Sequence, residues 1–217
     1  MSPLESCPRL QPILPELQSG HDYKICHYQE NGNAMEFTLR LPFTSPEDVL
    51  RWLKKFEETS YSTWRTNKTY PNSGQKNVFR VDMHCHHNTF PRSSTADLKK
   101  GSKNTKCPST MFVIVKRTAG SRGRNRSKDK HIREGYPTLI TLKWDHNHEV
   151  ASADALRERD VSDGTREKLL ELYRSGHSPS SALDTMKYDL QEGCTDAEYT
   201  RLSADRARCP DLQYCYR

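Results

Sequence analysis

Apolar side chains recur at every second position in several stretches of the chain, and that period is the signature of strands with one buried face. Residues 35–43, MEFTLRLPF, put Phe37, Leu39, Leu41 and Phe43 on one side and predict a short strand. The period then changes. In SPEDVLRWLKKFEET the apolar residues Val49, Trp52, Leu53 and Phe56 fall three or four apart, which predicts an amphipathic helix that covers a sheet. Ser45 supplies its N-cap, Pro46 its first helical position, and Asp48 lies three residues after the cap. Period two returns in STWRTNKTY and NVFRVDMHC, joined by the turn-rich YPNSGQKN. In the second of these, Phe79, Val81, Met83 and Cys85 share a face, while Arg80, Asp82 and His84 point away. CPSTMFVIVKR follows, with Met111, Val113 and Val115 on the side of Cys107. Last comes YPTLITLKWDHNH, whose Ile140, Leu142, Trp144, His146 and His148 alternate in step.

The flanks differ. Residues 1–34 hold four prolines and no clear period, and read as an irregular lead-in. Beyond residue 150 the spacing is helical. Leu169, Leu172 and Tyr173 mark one helix over Thr165–Ser175 with Gly176 as its stop, and Ser178 and Pro179 open another that carries Ala182, Leu183, Met186 and Leu190. TDAE at 195–198 is a capping box for a third, ending before Pro210. Two helices around a short glycine turn allow a DNA-reading helix-turn-helix, although plain packing is the commoner use of that pattern. The expected fold class is α+β: a small antiparallel sheet with a covering helix over 35–150, then a helical module over 151–217.

Composition changes this picture in two ways. Only 33% of the residues are hydrophobic and the mean hydropathy is -0.94, so the core is thin for 217 residues and calls for a staple. The charge is also partitioned. Residues 61–150 carry 18 Lys and Arg against 6 Asp and Glu, while residues 1–60 carry 6 against 9 and residues 151–217 carry 10 against 13. The whole positive excess sits in the middle segment, and concentrated positive charge attracts nucleic acid. No 18-residue apolar run spans a membrane, and the N-terminus lacks the basic start and apolar stretch of an export signal. With seven cysteines, an odd number, the expected compartment is reducing and the thiols are ligands or free groups.

Cys85, Cys107, His146 and His148 end or begin the inward faces of three strands, in the spacing C-x21-C-x38-H-x-H. Two thiolates and two imidazoles make a closed tetrahedral set for structural zinc. Successive alternate positions of a strand bring both histidines to one face, which a helix would not do. The bland alternative is two cysteines buried as small apolar residues beside an exposed HNH turn. His84, His86 and His87 rival Cys85 as first ligand; Cys26 beside His27, and Cys209 with Cys215, read as free thiols.

The order of the covering helix, WRTNKTY, VFRVDMHC, KCPSTMFVIV and WDHNHEV resembles the zinc-binding modules of the WRKY and glial-cells-missing superfamily. It is closest to the branch in far-red-impaired-response proteins and at the N-termini of Mutator-like transposases. The resemblance covers residues 35–150. It implies a small antiparallel sheet, a zinc site with Cys85, Cys107, His146 and His148 as ligands, and binding to double-stranded DNA. The contiguous heptapeptide by which WRKY domains read DNA is absent; Trp64-Arg65 and Gly74-Gln75-Lys76 echo only its two ends, so no sequence preference carries over.

The expected function is therefore a zinc-dependent DNA-binding protein of the nucleus, a transcription regulator or a transposon-derived protein. Its DNA contacts would come from Arg65, Lys68, Lys76 and Arg80 on one hairpin. Lys116, Arg117, Arg122, Arg124, Arg126, Lys128 and Lys130 would contribute around the basic loop. That loop, SRGRNRSKDK, also reads as an import patch or a solvated turn. The alternatives are a truncated Mutator-like transposase fragment and a zinc-stabilised protein-interaction module. Catalysis is not expected, since four protein ligands close a zinc site.

Overall fold

A computed structural model describes residues 6–17, 22–70, 74, 76–89, 104–118 and 129–216. The chain divides into two compact units, residues 1–148 and 149–217. The first is a six-stranded antiparallel sheet with helices, so the α+β class holds. Its elements are β1 (Lys24–Asn31), β2 (Ala34–Leu41), α1 (Pro46–Ser60), β3 (Trp64–Thr69), β4 (Asn77–Cys85), β5 (Thr110–Lys116), α2 (Lys130–Arg133) and β6 (Thr138–Trp144). The strand order is β1-β2-β6-β5-β4-β3.

Alternation fixes the buried face. Phe37 pairs with Leu142, Leu142 with Met111, and Met111 with Met83, so one apolar row crosses four strands. Leu39, Ile140, Val113 and Val81 make the next. α1 begins as expected, with the Ser45 side chain accepting from the Asp48 N–H at 3.1 Å, and buries Val49, Trp52, Leu53 and Phe56 in the same core as the sheet's inner rows. Each such side chain contributes about 1.5–3 kcal/mol when fully buried.

The lead-in departs from expectation. Residues 24–31 form an edge strand, and Cys7, Leu10, Leu14 and Tyr23 are buried in the main core. Pairing of β1 with β2 slips between Ile25 and His27, a bulge that breaks period two, and most β1 side chains are exposed. The alternation was therefore invisible, although Gly32-Asn33 is a two-residue hairpin signal, with Gly32 at φ 59 in the first turn position. The Arg9 guanidinium donates to Gly32 O at 3.0 Å and Asn33 O at 2.7 Å, which ties the lead-in to this hairpin. Tyr23 accepts from Trp52 Nε1 at 2.8 Å and donates to Pro15 O, joining it to α1.

On the other face of the sheet Asp129 caps α2 and accepts from Lys116 Nζ at 2.6 Å and from Arg40 Nη2 at 3.2 Å. Burial opposes its ionisation. The Lys116 hydrogen bond, the Arg40 charge and the His131 N–H together outweigh that and hold its carboxyl down at about 2. Because the folded value lies below the usual carboxylate value, this contribution is present above pH ~4 and is lost as pH falls from there through about 2. Asp129→Ala leaves the buried Arg40 without this partner, and an expected cost of about 1–3 kcal/mol would show as a lowered thermal midpoint at neutral pH. The difference from wild type should shrink in acid below the window; an undiminished difference at pH 2 would contradict the assignment.

The second unit is helical: α3 (Ala153–Arg157), α4 (Asp163–Arg174), α5 (Pro179–Glu192), α6 (Asp196–Ala204) and α7 (Leu212–Cys215). Leu169, Ala182, Leu183, Met186, Cys209 and Cys215 form its core, and Thr195 with Glu198 makes a full capping box. Arg159 Nη1 meets Asp205 Oδ2 at 2.6 Å in a buried ion pair that closes the unit across 46 residues. No helix among the described residues is long and apolar enough to cross a membrane.

Candidate metal centre

Cys85 is the last residue of β4, on the inward face that period two assigned to it. Cys107 lies three residues before β5 and is fully buried, entering its position after Lys106, which adopts a left-handed φ of 54. β6 ends at Trp144. His146 and His148 therefore lie in the bend beyond the strand, not on it as expected. Their convergence is set by bracing, not by the pleat. Asn147 Nδ2 donates to Thr105 O at 2.7 Å and Thr105 Oγ1 donates to Asn147 Oδ1 at 2.8 Å, while the Asp145 N–H donates to Ser109 Oγ at 2.9 Å. These bonds lock the bend to the segment that carries Cys107.

One donor atom from each of Cys85, Cys107, His146 and His148 lies within 4.8 Å of all the others, so the four could hold a metal ion. Cys85 Sγ is 3.3 Å from His148 Nε2, Cys107 Sγ is 3.3 Å from His146 Nδ1, and the two imidazole nitrogens are 3.3 Å apart. A tetrahedron with the usual zinc–sulfur and zinc–nitrogen bond lengths has edges of about 3.3–3.8 Å. The donor set fits a closed site, and three of its six edges are at the short end of that range. Cys85 beside it, with both imidazoles and the Ser109 backbone, overcomes burial and holds the Cys107 thiol well below its ordinary range, which favours the thiolate that a metal requires.

An aromatic chain supports the histidines. Trp144 meets His146 edge to face at 4.5 Å, Trp64 lies 5.8 Å from His146, and Phe56 of α1 lies 6.2 Å from Trp144. The covering helix and the site thus share one packed wall. The three rival histidines do not displace Cys85. His84 pairs across β3 with Arg65 on the opposite face, and burial with the Arg65 charge lowers its pKa; His86 and His87 are buried beside the centre but lie outside the four-donor cluster. Cys26 is exposed, with Sγ 3.9 Å from His131 Nε2, and Cys209 and Cys215 are buried in the second unit.

The basic residues do not form one set. Arg65 and Lys68 are exposed on β3, the edge strand, with Lys68 Nζ 4.9 Å from the Tyr70 ring. Lys76 and Arg117 are exposed at the far end of the sheet, where the Arg117 N–H donates to Lys76 O at 2.9 Å. Arg80 stacks on Tyr70 at 4.1 Å and pairs with Asp82 at 3.5 Å, and Lys116 is held by Asp129. Lys130 reaches Glu134 at 3.7 Å. Arg122, Arg124, Arg126 and Lys128 lie outside the described residues. Asp82 and Asp129 were not anticipated as partners. A sequence shows the charge of Arg80 and Lys116 but not the carboxylates that fold against them. The chain matches no protein-family model, no curated protein and no solved structure.

Proposed function

We propose that the chain is a zinc-stapled, duplex-DNA-binding protein of the nucleus, acting as a transcription regulator or as a transposon-derived DNA-binding protein. Zinc is the metal of this reading because a set of two cysteines and two histidines whose donor atoms lie within 4.8 Å of one another suits it above other common ions. The observation that carries the DNA reading is β3. Its Trp64 is buried against Trp144 and His146 and its backbone N–H donates to Glu57 of α1 at 2.6 Å, yet every residue from Arg65 to Thr69 is exposed and polar. A cationic edge strand held rigid at one end suits entry into a groove, with Arg65 and Lys68 at phosphates or base edges.

Salt dependence tests it. Log affinity of the full chain for duplex DNA should fall linearly with log salt, and Arg65→Ala with Lys68→Ala should reduce the slope by about two if both meet phosphate. Arg80→Ala should leave the slope nearly unchanged, since its charge is already taken by Asp82. A folded, metal-loaded chain without affinity for any duplex at low salt would remove the proposal.

One observation favours a second reading, a zinc-stabilised protein-interaction module: Arg80, Lys116 and Lys130 all face carboxylates of the chain itself, which leaves a weaker positive field, suited to a partner less densely charged than duplex DNA. Preference for an acidic polypeptide over duplex DNA in direct competition would select it. No catalytic step belongs to either reading, because four protein donors leave a tetrahedral ion no open position. Metal-dependent strand cleavage by the pure chain would instead favour the transposase-fragment reading.

A further inference from the structure

In the stretch MHCHHN the chain leaves β4 at Cys85 and turns at once, so the two following histidines are packed beside the centre and not along the sheet. The His86 N–H donates to Thr63 O at 3.0 Å, which fixes the start of the turn. His87 then makes contact with three of the four donor residues. Its backbone N–H points at Cys85 Sγ at 3.5 Å, and its carbonyl accepts from the N–H groups of Thr105 at 2.8 Å and Cys107 at 3.5 Å. Its ring is buried and lies in a tilted stack 4.1 Å from the ring of His148. The His86 ring also packs on it, with centroids 4.1 Å apart.

From this arrangement we infer that His87 is the positioning residue of the metal centre, acting through its ring on His148 and through its backbone on both cysteines. This inference rests on the metal reading of the site. An N–H aimed at a sulfur stabilises the thiolate and orients its lone pairs. The carbonyl holds the Cys107 segment at a fixed distance from the Cys85 turn. The ring packs on the His148 imidazole in the orientation whose Nε2 faces Cys85 Sγ and His146 Nδ1. Backbone contacts survive substitution, so the side chain's share is the stack. That share lies in the plane of the ring, which a phenyl ring also supplies.

The experiment uses the full chain loaded with Co2+ as a spectroscopic substitute for zinc, with affinity from chelator competition and geometry from the visible absorption bands. His87→Leu fills similar space without a plane, and His87→Phe restores the plane without nitrogen. His87→Leu is expected to weaken Co2+ binding about 10–100-fold and to broaden or shift the tetrahedral bands, with His87→Phe returning to within about threefold of wild type. A His87→Leu protein with wild-type affinity and bands overturns the inference. So does a His87→Phe protein as weak as His87→Leu, since the nitrogens would then matter. If the wild-type chain takes up neither Co2+ nor Zn2+, the metal reading itself fails and the inference falls with it.

Discussion

Removing the metal with a strong chelator, or replacing one ligand by Cys107→Ser or His148→Ala, is expected to unfold the first unit, residues 1–148, whose single sheet joins β6 to β2, while the helices of residues 149–217 keep their signal. The centre joins three separated pieces of chain: the end of β4, the segment before β5 and the bend after β6. Without an ion, two buried thiols and two imidazoles lose their common partner, and the bracing bonds from Asn147 and Asp145 are left to hold the bend. Apparent zinc-binding energies at such sites, about 10–16 kcal/mol, are as large as the whole stability of a typical domain, about 5–15 kcal/mol. Far-UV circular dichroism would report loss of the strand component and of α1 with the helices of the second unit retained, and a metal assay would report the fall from one ion per chain. Either variant keeping native strand signal and one bound ion would rule out the ligand assignment. Cys85→Ser should behave in the same way, whereas His86→Ala should keep its ion.

Deleting residues 1–34 is the second large effect expected. The fragment 35–150 contains every ligand and the whole span of the family resemblance, yet it lacks β1 and the buried Leu10, Leu14 and Tyr23. Burial of those three contributes about 1.5–3 kcal/mol each, which approaches the total stability of a domain. Loss of β1 also bares the backbone edge of β2, a template for aggregation. Residues 1–148 should therefore give a cooperative melt and 35–150 should not, being aggregated or molten when isolated. A 35–150 fragment melting within a few degrees of residues 1–148 would show that the lead-in is dispensable.

What the sequence determined by itself is the set of groups that face inward. Phe79, Val81, Met83 and Cys85 alternate without interruption, so a strand can place them only on one side, and Cys85 was separable from its three histidine neighbours. Ser45, Pro46 and the spacing of Val49, Trp52, Leu53 and Phe56 likewise specify α1, because capping and periodicity are local. Tertiary structure decided the rest. The bulge at Cys26 hid β1, and the turns that bury Leu10 and Leu14 have no period, so their membership of the core depends on a sheet that must form elsewhere first. The strand order places β6 between β2 and β5, a choice made by pairing across about a hundred residues of chain and not by any neighbouring residue. His146 and His148 reach the centre through a bend held by Thr105 and Ser109, although a strand would have brought them to one face equally well. Charge was the least legible quantity. Lys116 and Arg80 read as free cations until Asp129 and Asp82 came within reach, because an ion pair is a property of two positions that only folding brings together.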